Sequence, residues 1–381
     1  MKLPPLLATA RRGLRGTADA SLEILIRGAS LLAPAAGALP AEPRSIFVLR
    51  NNDVGDLLIV TPLFDALRRR FPAAHIVAGV GSWNLDVLRG NPHLSEVLPV
   101  NAPWFNKYLQ RQSPARRLAY ALGSREVRGL ARRGFDVGID VLGSAWGSLL
   151  LMRAAIPCRL GVRGYAGGHS ATSAALAFDP TLHVGRAALR FAEILDATDL
   201  PDCRPQIFLD AGEIADAERC WASAEDGVRR RRLVVGPGGG LAVKRWPEAS
   251  FTALTTRLPE VLPGASILVQ GGPGEEDLVV RVAAAQPRAW SLPKAPGLRQ
   301  ACALTATADL VICNSSMLMH VAAAFRKPTL VLLGESFASA SQHQAQWGYP
   351  GTCRSLGKEP GGRAHLYTPD EVLAVVGSEL T

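Results

Sequence analysis

The chain has 381 residues, of which 48% are hydrophobic and 20% charged. That length and apolar content suit about two globular domains of roughly 150 to 200 residues each and exclude a chain that is disordered throughout. The formal net charge of +9 points to an acidic partner: a nucleotide, a phosphate, a nucleic acid or an anionic lipid. The six cysteines, Cys158, Cys203, Cys220, Cys302, Cys313 and Cys353, form no CxxC and no Cys/His cluster with zinc spacing. They read as reduced cysteines of a cytosolic protein. No run of 18 uncharged apolar residues occurs, so a spanning helix is not expected.

Residues 1–39 are rich in alanine and leucine and carry Arg11, Arg12, Arg15 and Arg27. Glu23 and Arg27 interrupt any signal-peptide core. This leader reads as a basic amphipathic helix lying on a membrane or on the body of the protein. A Pro/Ala/Gly linker over 33–43 leads to a first strand at Ser45–Leu49. RNNDVGDLLIVTPLFDALRRRFPAAHIVAGV then reads as loop, amphipathic helix and second strand, a βαβ unit. Gly55 allows the turn, and Asp56 lies at the loop–helix junction, at the carboxyl end of the first strand. A carboxylate there is either a helix N-cap or a poised general base.

Residues 91–100 read as a turn and a third strand. From Phe105 to Arg133 there are eight basic residues against one acidic, Glu126. This stretch is either a solvated helix face or a surface facing phosphates, on a membrane or an acidic acceptor. It lacks the interleaved aromatics or known motif that nucleic-acid binding would want. A strand over 135–143 and a helix through 149–155 follow. RLGVRGYAGGHSA (159–171) reads as a glycine-rich loop carrying Arg159, Arg163 and His169, without GxGxxG spacing.

The α/β pattern restarts after a linker at 201–205. Strand 233–235 runs into GPGGGLAVKRWP, where the glycines, Gly238 and Gly239 among them, let backbone amides approach a ligand. Lys244 supplies a point charge suited to a phosphate. Strand 265–270 ends in GGPGEED, whose Glu275 and Glu276 are either ribose-binding acids or acids favoured by a helix dipole. ADLVICNSSMLMHVAAA (308–324) reads as a buried strand, a polar turn and a helix. Ser315, Ser316 and, one turn on, His320 then stand where unpaired amides favour an anion, or the motif is an ordinary strand–helix unit with a serine cap. Strand 328–333 ends in Gly334-Glu335-Ser336. Four strands of this half thus end in glycine or small polar loops, the pattern of a nucleotide site.

Three stretches together, LRNNDVGDLLIVTPLFDALRRRFP, GPGGGLAVKRWP with GGPGEE, and NSSMLMHVAAAFRKPTLVLLGE, resemble glycosyltransferase family nine, the ADP-heptose:lipopolysaccharide heptosyltransferases. The resemblance implies an α/β fold of GT-B architecture, two Rossmann-like domains facing each other across a cleft. Residues 44–205 would bind the acceptor and residues 206–381 the nucleotide sugar, with a final helix near 369–380 packing back on the first domain. Asp56 matches the family's catalytic base beside its glycine. Lys244 matches the lysine on the donor phosphate, Glu275 or Glu276 the ribose acid, and His320 the histidine near the diphosphate. Asn51 and Arg163 are expected at the acceptor. Ser315, Ser316 and Met317 stand where the family loop usually reads Asp-Ser/Thr-Gly, so an aspartate contact to the donor sugar is missing.

The expected activity is inverting transfer of a heptose or related sugar from an ADP-activated donor to a phosphorylated glycolipid of the lipopolysaccharide-core type. The expected place is the inner face of the cytoplasmic membrane. No Asp-x-Asp occurs, so metal independence is expected, with no cofactor. The alternatives are the same fold with another nucleotide-sugar donor, or a family member that binds nucleotide or glycolipid without catalysis. A nicotinamide-dependent oxidoreductase would need a GxGxxG with a downstream ribose acid, and none follows a strand here.

Overall fold

In this computed structural model the described residues are 23–24, 26–31, 36–109, 113–225 and 228–379. They fall into two compact units. The first holds residues up to Leu85, Asn91–Pro180 and Arg186–Asp202; the second holds Asp86–Gly90, Thr181–Gly185 and the chain from Cys203 on. Each unit is built on one six-stranded parallel sheet. The first sheet contains β1 (Ser45–Leu49), β2 (His75–Val80), β3 (Glu96–Pro99), β4 (Val137–Asp140), β5 (Cys158–Arg163) and β6 (Ala174–Ala177), in the order β3-β2-β1-β4-β5-β6. The second contains β7 (Arg232–Gly236), β8 (Ser266–Val269), β9 (Ala289–Trp290), β10 (Leu310–Asn314), β11 (Thr329–Leu332) and β12 (Cys353–Leu356), in the order β12-β11-β10-β7-β8-β9.

Both sheets therefore share one topology, the doubly wound order of a Rossmann fold. The central strands are apolar at nearly every residue, as in SIFVL, SILV and TLVL, because helices cover both faces of a parallel sheet. Strand order reverses between β1 and β4 in the first sheet and between β7 and β10 in the second. Ligands of open α/β sheets sit outside the carboxyl ends of the strands at such a reversal. The segments after β1, β7 and β10 are those that carry Asp56, in the short helix that follows the loop, Gly238–Gly239 and Ser315–Ser316.

Each unit has its own core. Phe47, Val77, Trp104, Leu150 and Ile156 belong to the first, and Leu233, Trp246, Phe251, Ile267 and Ile312 to the second. The last helix, Pro369–Glu379, was expected to pack on the first domain. Its apolar residues Val372, Leu373 and Val376 lie instead in the core of the second unit, beside the Glu248–Arg257 helix. The described part of the leader packs on the body of the first unit. Ile26 is buried in that core, and Glu23 accepts hydrogen bonds from the backbone N–H groups of Gly168 and Ser170, the latter at 2.7 Å. Arg11, Arg12 and Arg15 lie outside the described residues.

The 159–171 segment is not simply a loop. Its first five residues complete β5, which pairs with β6. Glycine is a poor strand former by itself, but buried Arg159 donates from Nε to Ala171 O and from Nη1 to Ile156 O, both at 2.7 Å. The basic stretch folds as two helices, Pro114–Gly123 and Arg125–Ala131, capped by the hydroxyls of Ser113 and Ser124.

Candidate active site

In the first unit the loop after β1 is fastened from several directions. Asn51 is buried and its Nδ2 donates to Ala102 O (3.2 Å) and Trp104 O (3.0 Å). Asn51, expected as an acceptor contact, fastens the 102–106 segment through these two bonds. Asn52 Nδ2 donates to Phe105 O at 2.8 Å, and Asn52 O accepts from Trp83 Nε1 and Asn84 Nδ2, both at 2.9 Å. Asp53, the N-cap of the short Val54–Leu58 helix, accepts from Lys107 N–H at 3.1 Å. Burial raises the Asp53 pKa, and the Lys107 amide and charge oppose that rise.

Asp56 lies one turn on from Asp53, inside that helix. Its side chain is 38% exposed, and Arg50 Nη2 stands 3.7 Å from its Oδ1. Buried Arg50 also donates from Nε to Asp56 O at 3.2 Å. One carboxylate is thus held by a cation on one side and open on the other, the geometry of a base that must meet a hydroxyl. Arg163 ends β5, and β4 lies between β5 and β1 in the sheet, so the two basic groups Arg50 and Arg163 flank different strands.

In the second unit the keystone is Asn314, the polar last residue of apolar β10. Its Nδ2 donates to Pro237 O (2.7 Å) and Gly238 O (3.0 Å), and its Oδ1 accepts from Trp246 N (2.8 Å). This ties the glycine loop after β7 to the turn after β10. Glu275 ties the same loop to the one after β8. Its oxygens accept from Gly239 N (2.8 Å) and Gly272 N (2.9 Å), and Arg245 Nη2 stands 3.2 Å from Oε1. A Cβ at Gly238 would lie 2.0 Å from Glu275 Oε2, which is why that position has no side chain. Glu275 therefore orders backbone amides, whereas Glu276 is exposed in the first turn of the Glu276–Ala283 helix. Glu276 lines an open surface pocket with Gln270, Leu292, Pro293 and Pro296.

Lys244 is exposed at the end of the 3-10 turn Ala242–Lys244, with Nζ 5.9 Å from the centre of the Phe337 ring. Its carbonyl accepts from Gly334 N at 3.1 Å, so the loop after β11 joins the cluster. Ser315 and Ser316 are half-buried, and Ser316 caps the Met317–Ala324 helix by accepting from Leu318 N at 3.3 Å. His320 is buried, with Nδ1 2.8 Å from the Tyr349 hydroxyl. Burial, with His343 and His183 adding to it, pushes the ring down to about 3. At neutral pH it acts as a neutral hydrogen-bonding group and not as a cation for a phosphate.

The structure thus places Gly238, Gly239, Lys244, Glu275, Ser315, Ser316 and His320 after three neighbouring strands of the second unit, β10, β7 and β8, and Asp56 after β1 of the first. Arg50, Asn314, Arg245 and His343 add to these. Asn314 had a local signal, a polar residue closing an apolar strand; the other three had none.

Strand-end glycine loops at a doubly wound switch point stand where open α/β proteins bind their ligands. The model of "Glycosyltransferase family 9 (heptosyltransferase)" matches residues 124–344, more than half of the chain, and the chain belongs to that family. It is a glycosyltransferase with the two Rossmann-like domains of the GT-B fold. It is 26% identical over 322 residues to lipopolysaccharide heptosyltransferase 2 of Salmonella typhimurium, covering 79% of this chain and 86% of the relative. The crystal structure of a family 9 glycosyl transferase from Veillonella parvula superposes with TM-score 0.70 at 18% identity, covering 89% of this chain and 97% of that one. The ADP-heptose lps heptosyltransferase II of E. coli superposes with TM-score 0.68 at 22% identity, covering 88% and 98%.

Proposed function

We propose that this glycosyltransferase moves a heptose from ADP-heptose to a glycolipid acceptor of the lipopolysaccharide-core type, by single displacement with inversion. The observation that supports this most is the glycine loop after β7 tied by Asn314 to the Ser315–Ser316 turn after β10. It makes a cradle of backbone amides and a helix N-terminus beside Lys244, suited to a diphosphate. The pocket beside Glu276 suits the base. The relatives act on heptose and lipopolysaccharide by name, and the E. coli structure carries ADP-heptose in its name.

In this reading Asp56 takes the proton from an acceptor hydroxyl as that oxygen attacks the anomeric carbon. The new C–O bond forms as the bond from that carbon to the diphosphate oxygen breaks, and the carbon inverts. The leaving diphosphate gains charge, which Lys244, the amides of the Ser315–Ser316 turn and a neutral His320 stabilise. The exposed basic helices Pro114–Gly123 and Arg125–Ala131, with Leu118 and Leu122 also exposed, support a phosphorylated acceptor and contact with an anionic membrane surface on the cytoplasmic side. Among the described residues no helix is long and apolar enough to cross a membrane.

The test is thermal stabilisation by ADP, UDP, GDP, CMP and NAD, followed by transfer from ADP-heptose. A ligand at 100 times its dissociation constant adds about 2.7 kcal/mol, readily seen in the melting temperature. Selective stabilisation by ADP supports the reading. Ser315 and Met317, in place of the family's aspartate and glycine, favour a second reading with another donor sugar, and stabilisation by UDP or GDP would select it. No stabilisation by any of them would favour a binder without catalysis.

A further inference from the structure

His343, which nothing in the sequence singled out, sits in the helix Ala340–Trp347 and is 3% exposed. Its Nδ1 lies 2.8 Å from Ser355 Oγ on β12 and its Nε2 lies 2.8 Å from Ser315 Oγ in the turn after β10. The ring is braced edge-on by Phe337 at 5.1 Å between centroids, the same ring that Lys244 overlies. Both ring nitrogens are therefore matched to hydroxyls, and one of those hydroxyls belongs to the turn that opens the Met317–Ala324 helix.

A neutral imidazole has one N–H and one bare nitrogen. With Ser355 donating to Nδ1, the Nε2–H donates to Ser315 Oγ. The Ser315 proton is then left to point at whatever occupies the turn, and an anion there favours this tautomer over its reverse. Burial and the charge of Lys244 hold His343 down to about 4, so at neutral pH the ring works in this neutral form.

We propose that His343 is a positioning residue of the donor site, which orients the Ser315 hydroxyl to donate a hydrogen bond to the diphosphate of the nucleotide sugar. The inference rests on the donor-site reading above and adds to it the group that aims the serine.

The experiment compares binding of ADP and of adenosine to the full chain and to His343→Leu, His343→Gln, Ser315→Ala and the Ser315→Ala/His343→Leu double variant. Loss of an aimed hydroxyl weakens ADP about tenfold and leaves adenosine, which has no phosphate, unchanged. The double variant is no weaker than the worse single variant, because both remove one contact. His343→Gln, whose amide N–H replaces Nε2–H, recovers most of the loss. ADP and adenosine falling together would make His343 a packing residue only and overturn the inference. So would an ADP affinity unchanged in His343→Leu, or additive losses in the double variant. A parent chain that binds neither ligand, and no other nucleotide of the panel, overturns the donor-site reading and this role with it. If UDP is the ligand selected, UDP and uridine replace the pair and the same outcomes decide.

Discussion

Asp56 and Asp53 are a turn apart in one short helix, and their surroundings separate them. Asp53 is half-buried and committed to the Lys107 amide, whereas Asp56 is paired to Arg50 and open to solvent. Replacing Asp56 with Asn should lower turnover by about 10² to 10⁴ with the melting temperature kept. Turnover within a few-fold of the parent would remove Asp56 from the base role. In the glycine loop after β7, Gly238→Ala would drive a Cβ onto Glu275, whose two oxygens hold the Gly239 and Gly272 amides. We expect ADP binding to weaken by about tenfold or more, read by calorimetry, while β7 and its neighbours stay folded. Because no Asp-x-Asp is present, EDTA should leave transfer unchanged, and activity lost to EDTA and restored by Mg²⁺ or Mn²⁺ would refute metal independence.

The helices after β10 and β11 each bury a histidine. His320 lies in Met317–Ala324 and is held down to about 3; His343 lies in Ala340–Trp347 and is held down to about 4, in both cases chiefly by burial. An unfolded histidine takes up its proton near pH 6.5. Below that value the unfolded chain binds protons that the folded one refuses, so these residues make stability fall with falling pH. The slope is roughly 1.4 kcal/mol per pH unit for each histidine, from about pH 6.5 until the folded rings titrate, and it then levels off. His343→Gln should therefore lose less stability than the parent between about pH 7 and pH 5, measured by urea unfolding. Equal losses would mean that His343 is not neutral in the folded state.

At the scale of the molecule, the second unit relies on a charged tie as well as on its core. In the second unit buried Arg299 forms an ion pair with Glu213 and donates to Phe208 O at 2.7 Å and Arg89 O at 3.2 Å. One guanidinium thus joins segments near residues 89, 208, 213 and 299. Glu213 is held down to about 2, chiefly by Arg299. Arg299→Met should cost about 2 to 3 kcal/mol, below the loss for a fully buried pair, because Glu213 keeps Arg89 and some solvent. A urea midpoint unchanged in that variant would show the tie to be dispensable. In the first unit Ile26 of the leader lies in the core. Deleting residues 1–40 should therefore lower that unit's stability by about 1 to 3 kcal/mol, in addition to any loss of vesicle binding.

Most of the architecture was legible from local pattern. Continuous apolar runs marked the buried parallel strands, strand-end glycines marked the loops at the carboxyl edge of the sheets, and the strand–helix junctions at Asp56 and Ser315–Ser316 were read from their neighbours. Such signals survive in sequence because they depend on neighbours within a turn or a strand. What escaped were side chains with two working ends whose partners lie far away. Asn314 reaches back to Pro237, Glu275 to Gly239, and His343 to Ser315 on one side and Ser355 on the other. The final helix, with no local cue to its partner, joined the core of the second unit, and Glu275 and Asn51 hold backbone in place, which their sequence neighbours did not announce. A polar residue's type says what it can bond; only the folded chain decides whether that bond goes to a ligand or to a loop that would otherwise leave its amides and carbonyls unpaired.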